Sequence, residues 1–242
     1  MPNEAHEYVT AIDSREPTEY IVAFLDVLGF RSRVRSYALA QLVEDYRKLL
    51  RDIEWNQSFP IFRLPAGGVE HWTTRVIVLS DSILLWSLIK PEAIKALLTS
   101  SSRILGHAAE IGWPLRGVVT AGECVFDEAN GVFIGEALVR AVELEKEQEW
   151  VGCGIDARAL DHEAAGATIR KHVDVVAYNV PMKAGASPIT AALWWKTYAP
   201  DAEERLNEMA AVTSHTNAGK YEAAIRFING SPCPVSDSSQ GV

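Results

Sequence analysis

The chain has 242 residues, of which 48% are hydrophobic and 23% charged, with a mean hydropathy of zero, a net charge of −9 and a pI near 5.2. That length and apolar content suffice for one substantial core of ordinary soluble type. So acidic a surface repels phosphate backbones and argues against general nucleic-acid binding, while a single anionic ligand stays admissible if metal and local arginines neutralise it. The three cysteines, Cys124, Cys153 and Cys233, have no C-x-x-C spacing. An odd, sparse set of this kind points away from a disulfide framework and toward a reducing cytoplasm. No apolar run approaches the roughly 20 residues that cross a bilayer, so direct membrane insertion is not expected.

Residues 1–18 read as a flexible leader, and 19–230 as one domain without an internal repeat. Tyr20–Leu25 is a compact apolar run closed by Asp26, which predicts a buried strand. Gly29 then permits a tight turn. From Leu39 to Ile53 the apolar residues recur at helical spacing. Residues 55–72 contain Pro60, Pro65, Gly67 and Gly68 and read as a loop or irregular hairpin. Arg75–Leu79 and Ile83–Leu88 form a hairpin whose tip is Ser80-Asp81-Ser82. Pro91 opens a helix that runs to about Ile111. Leu115–Thr120 is a strand, and Phe133–Ile134 leads into a helix with Ala137, Leu138, Ala141 and Leu144 on one face. Val151–Ile155 and Val173–Tyr178 are further strands, separated by a short Ala-rich helix. Helical stretches follow around Asp201–Val212 and Lys220–Phe227, and residues 231–242 read as a disordered tail. The order strand, helix, hairpin, helix, strand, helix, strand predicts an α+β fold. It is a ferredoxin-like, antiparallel-rich sheet with helices on one face, plus C-terminal helices.

In such a sheet the first strand lies beside the hairpin, so Asp26 and Asp81 meet at one edge. Two close carboxylates repel unless a cation sits between them. A hard divalent ion, Mg²⁺ or Mn²⁺, suits carboxylates, water and substrate phosphates. The turn Val27-Leu28-Gly29-Phe30 would offer backbone N–H groups to those phosphates. The plain alternative is that both aspartates cap turns through nearby backbone N–H groups. The six histidines show no ligand spacing, and Trp194-Trp195 suits packing of the tail helices or a dimer contact.

Several segments, in order, resemble the motifs of class III nucleotidyl cyclases. Phe24-Leu25-Asp26-Val27-Leu28-Gly29-Phe30 resembles their first metal motif, and Leu79-Ser80-Asp81-Ser82 their second. Leu115-Arg116-Gly117-Val118-Val119-Thr120-Ala121-Gly122 is similar to their R-x-G-I-H-x-G strand. The stretch Gly135–Glu145 resembles the helix that begins G-x-x-V-N-x-A. The likeness spans about residues 20–185. Arg116-Gly117-Val118-Val119, Ala141-Val142-Glu143-Leu144-Glu145 and Val180-Pro181-Met182-Lys183 are most similar to one branch, the stand-alone pyrimidine cyclases of the bacterial Pycsar anti-phage system.

This resemblance implies two divalent ions (Mg²⁺ or Mn²⁺) on Asp26 and Asp81, and conversion of UTP, ahead of CTP, to the 3′,5′-cyclic nucleotide and pyrophosphate. It also implies a homodimer with sites at the subunit interface and a product read by a separate effector protein. Arg116 is expected to clamp phosphate, and Lys183 to reach the triphosphate as a point charge. Tyr46, on the apolar face of its helix, is a candidate to stack on the base or to pack in the core. Arg75 is a candidate to read a base carbonyl or to hold phosphate. The departures are Val139 where the family has Asn, Glu143 where it has Arg, and Thr120 where it has His; Arg140 is the other cation on that helix. They keep open a catalytically degenerate nucleotide-binding or interaction domain, and a purine cyclase. A diguanylate-cyclase or polymerase-palm relative shares the paired aspartates, but its G-G-[DE]-E-F run is absent from this hairpin.

Overall fold

The computed structural model describes residues 14–57, 61–63, 69–71, 74–213, 215–230, 232–233 and 235. The central strand β1 spans Ser14–Val27, and Tyr20, Ile21, Val22 and Ala23 on it are fully buried. The leader expected through residue 18 therefore gives way to strand at Ser14. Ser14 finds a partner in Phe126, with an irregularity in register before Thr18.

Next come α1 (Phe30–Ser36) and α2 (Leu39–Gln57), which buries Leu42, Leu49 and Ile53 at the predicted spacing. The 55–72 segment holds a short ribbon of β2 (Ile61–Arg63) and β3 (Val69–His71). The predicted hairpin is β4 (Arg75–Leu79) and β5 (Ser82–Leu88), with Ser80 at φ 60° in its turn. A non-glycine residue there costs about 1 kcal/mol. Pro91 does open α3 (Pro91–Glu110), which ends where Gly112 turns at φ 76°. β6 (Leu115–Asp127) runs past Thr120 and folds back onto β7 (Val132–Gly135), which leads into α4 (Glu136–Glu147). Then come β8 (Gly152–Ile155), α5 (Ala157–Asp161), α6 (Gly166–Arg170), β9 (Val175–Ala177), β10 (Ala191–Leu193), α7 (Ala202–Val212) and α8 (His215–Asn229).

Among the described residues eight strands form one mixed sheet, ordered β4-β5-β1-β6-β8-β10-β9 with β7 on β6. Only the β6–β8 neighbours run parallel among its pairings. The fold class read from the sequence is the one observed. Ile21, Ala23, Leu25 and Val27 share the main core with α2, α3 and the tail helices. Trp194 packs on Phe227 of α8, their ring centroids 5.2 Å apart. Of the tail, the Cys233 carbonyl accepts a bond from the Ala177 amide on β9 at 2.7 Å.

One helix departs from the one-face arrangement. Tyr20 and Val22 point the other way, into a second cluster with Trp86, Phe126 and Ala137 of α4. α4 packs on this second face through Ala137 and through Glu145, which meets the buried Arg116 that β6 presents there. Asp26, in step with Val22 on β1, belongs to the same face.

Candidate active site

Asp26 is the penultimate residue of β1, paired with Ser82 on one side and with Arg116 on the other. The Ser82 hydroxyl donates to Asp26 Oδ1 at 3.2 Å. The Val27 amide donates to the Asp81 carbonyl at 2.8 Å, so the two aspartate-bearing turns are tied to each other. The sheet thus brings Asp26 and Asp81 to one edge. Tyr46 braces the strained tip from below: its hydroxyl donates to the Ser80 carbonyl, and its ring packs 5.7 Å from Trp113 and 6.0 Å from Phe30.

Burial, then the charge of Glu145, then that of Asp81 push the Asp26 carboxyl up to about 6, against partial relief from Ser82 and Arg116. Burial and the nearby Asp81 also raise the Tyr46 phenol. A carboxylate whose ionisation is opposed by neighbouring carboxylates is a donor that a hard divalent ion relieves. Among the described residues no cluster of three or more His, Cys, Asp or Glu side chains forms a metal cage. Two carboxylates are the share of ligands a protein gives Mg²⁺ when water and phosphates supply the rest. The residues present fit such an ion.

The other predicted residues are placed unevenly. Arg116, 8% exposed, is not an open phosphate clamp: its Nε bonds Glu145 Oε1 at 2.6 Å and its Nη1 the Gln148 carbonyl at 2.7 Å. The reason is that α4 covers this stretch of β6 and supplies a carboxylate that satisfies the fork. Of the four turn amides, those of Val27 and Leu28 are already spent on the Asp81 and Pro114 carbonyls, which leaves Gly29 and Phe30 at the mouth of α1. Tyr46 is a brace of the hairpin tip. Lys183 stands at the end of α4, its Nζ 3.8 Å from Glu147, beside the Gln148 that holds Arg116. Arg75 lies at the far end of β4 from Asp81, roughly 13 Å along the strand at 3.3 Å per residue, and bonds Glu128 through Nε at 3.1 Å and through a second, shorter contact. One chain does not bring Arg75 to its own aspartates.

Sequence reasoning missed two buried networks. Gln148 donates to the Gly117 carbonyl at 2.8 Å and accepts from Trp150 Nε1 at 2.8 Å, which fixes the carbonyl that holds Arg116. Asp156, 3% exposed, accepts from Thr120 at 2.8 Å and from both sides of the Arg140 fork. Burial drives the Asp156 carboxyl up, but the bonds from Arg140 and Thr120 outweigh it and hold it below its usual range. Arg140 is therefore committed to the scaffold. Glu145 did carry a signal: it continues the line Ala137, Ala141 along α4, where a carboxylate on a buried stripe demands a partner.

No family model and no curated protein matches the sequence. Solved structures do. The backbone is similar to the adenylyl cyclase CyaB from P. aeruginosa, with 14% identity, 74% of this chain and 94% of that one covered, and a TM-score of 0.53. It is similar to the dimeric guanylyl cyclase domain of the RhoGC fusion protein from Blastocladiella emersonii at 13% identity, over 76% and 98% of the two chains, with a TM-score of 0.53. For the guanylate cyclase domain of RhGC from Catenaria anguillulae, a complex with GTP, the figures are 11%, 73% and 96%, and 0.51. The fold is that of class III cyclase domains. In that fold the aspartate edge lies on the α4 face. On its outward side α4 of this cyclase fold exposes Val139 and Glu143, the positions where the family motif carries Asn and Arg. No helix among the described residues is long and apolar enough to cross a membrane.

Proposed function

We propose that the chain is a nucleotidyl cyclase that closes a pyrimidine nucleoside triphosphate, UTP ahead of CTP, to the 3′,5′-cyclic mononucleotide. The observation that carries this reading is the tie between the Asp26 and Asp81 turns, in a fold shared with adenylyl and guanylyl cyclases. The ribose 3′-oxygen bonds the α-phosphorus, its proton leaves to solvent, and pyrophosphate departs in line. Two Mg²⁺ or Mn²⁺ ions held by Asp26 and Asp81 would supply hydroxyl activation and charge neutralisation. The chain's own part is to hold these carboxylates fixed. Ser82 and Val27 set their spacing, and Tyr46 steadies the tip. Arg116, locked by Glu145 and Gln148, places a buried positive charge behind Asp26, and Gly29 and Phe30 border the phosphates.

Arg75 is remote from its own aspartates, which supports a role at the opposite subunit's site in a homodimer with interfacial centres. Lys183, exposed beside Glu147, is assigned to the triphosphate. The pyrimidine preference, and a product read by a separate effector in bacterial anti-phage defence, rest on the motif resemblance.

The experiment is a panel of ATP, GTP, CTP and UTP with Mn²⁺, followed by pyrophosphate release and product mass. UTP is expected to react best, and Asp26→Ala or Asp81→Ala to lower turnover by at least about a thousandfold with circular dichroism unchanged. Wild-type rates in Asp26→Ala would sink the scheme. A cyclic purine product would keep the cyclase and overturn its base. The exposed Val139 and Glu143 favour one second reading, a nucleotide-binding domain without turnover. Binding of an NTP with no product from any of the four would establish it.

A further inference from the structure

Between α1 and the pair α7–α8 lies a groove of about 470 Å³, within the size range of small-molecule sites. Its floor includes Leu28 and Gly29, the turn that follows the catalytic strand. Arg33 and Lys220 line it, as do Ser32, Ser36 and Thr213, and among the described residues no carboxylate does. In a chain of net charge −9 this is a local reversal: no acidic residue stands between Asp26 and Glu44, while Arg31, Arg33 and Arg35 all do. Asp45 feels the Arg33 charge, but its carboxylate is already bonded to Lys48 at 2.9 Å. Arg33 also bonds the Gly112 carbonyl at 2.6 Å and stacks 4.9 Å over Trp113, which restrains its guanidinium. Tyr37 and Tyr221 add aromatic surface to the same walls.

We infer that this groove is a second anion site, separate from the aspartate pair, that takes a small phosphomonoester carrying a planar ring. Two cations and three hydroxyls match a phosphate dianion. The exposed ring of Tyr37 matches the ligand's ring. α1 buries none of its own side chains, so a ligand bridging it to α7–α8 adds contacts that the helix otherwise lacks. Because Leu28 and Gly29 belong both to the groove and to the turn that follows the catalytic strand, occupancy would bear on the turn beside the aspartate pair, and the site is suited to control of turnover.

The test uses the full chain in EDTA, titrated calorimetrically with AMP and with inorganic phosphate. One AMP per chain is expected, with inorganic phosphate at least about tenfold weaker. The Asp26→Ala/Asp81→Ala double variant should bind AMP as the wild type does, and Lys220→Glu should lose at least about tenfold, one charge-assisted contact. Tyr37 is 56% exposed, so Tyr37→Ala reads the ring contact without disturbing the core. Arg33 is left intact because it also braces Trp113. No heat at millimolar AMP overturns the site. So does binding that survives Lys220→Glu and Tyr37→Ala but vanishes in the aspartate variant, which would place the ligand in the catalytic cleft. Equal affinity for inorganic phosphate overturns the aromatic half. Because the readout is binding without metal, its result is independent of whether the chain proves to be a cyclase.

Discussion

A carboxyl pushed up to about 6 changes its charge between pH 5 and 7, and Asp26 is such a group. Its folded value lies above the unfolded value of 3.8, so the metal-free fold holds the proton more tightly than the unfolded chain does. The stability this contributes is fully present below about pH 3.8 and is lost as pH rises through about 6. Metal-free protein should therefore lose about 1 kcal/mol relative to Asp26→Asn between pH 5 and pH 7, after solvent screening of a partly exposed group is allowed for. Parallel urea titrations of the two proteins check this, and curves with the same pH dependence would contradict the assigned environment. Asp26 was legible because an apolar run ended on it and a hairpin tip carried its mate. Glu145 was legible only as an acid on a buried stripe, and Asp156 not at all, because the partner of each lies far away in sequence, Arg116 for the first, Arg140 and Thr120 for the second. Arg116 was read as a free fork because the carboxylate that occupies it could not be seen from its own strand.

The element that sets the site is the β1–β6 ladder, and Gly117 is its tightest point. A Cβ at Gly117 would stand 2.3 Å from the Phe24 carbonyl oxygen and 2.4 Å from Leu25 Cδ2. Backbone cannot yield as a side-chain tip can, so Gly117→Ala should cost about 3 kcal/mol. It should also reduce turnover by displacing Asp26 against Arg116. The urea midpoint measures the first effect and the NTP assay the second; a midpoint within error of wild type would show that the ladder gives way freely. Long elements were readable from pattern: α2, α3 and the β4–β5 hairpin fall where periodicity placed them. β10, three residues long, and α6, five long, are too short to show a period and exist because neighbouring strands and helices hold them. The side of the sheet taken by α4 was invisible for a related reason. A connection through β7 of four residues permits either face, and the Arg116–Glu145 bond that accompanies the observed one joins residues far apart in sequence.

At the scale of the whole molecule, the turn into α4 leaves large apolar side chains exposed. Ile134 is 64% exposed and Val139 57%, on either side of the turn into α4. Large apolar side chains in such positions suit burial against a second copy, as the proposed interfacial dimer would require. Sedimentation should find wild type as a dimer and Ile134→Glu as a folded monomer whose turnover per chain falls at least about tenfold. A variant that stays dimeric would move the interface elsewhere.

The bond from the Val27 amide to the Asp81 carbonyl has a consequence for how such a protein is switched. It adds one main-chain bond just beyond the last β1–β5 register pair, Asp26–Ser82, so parting the two turns means breaking it. The gap between the two carboxylate-bearing turns is thus a dimension that resists a signal. Whatever turns the protein on or off acts on what approaches the pair, or on which subunit faces it, and leaves the pair itself as a fixed gauge.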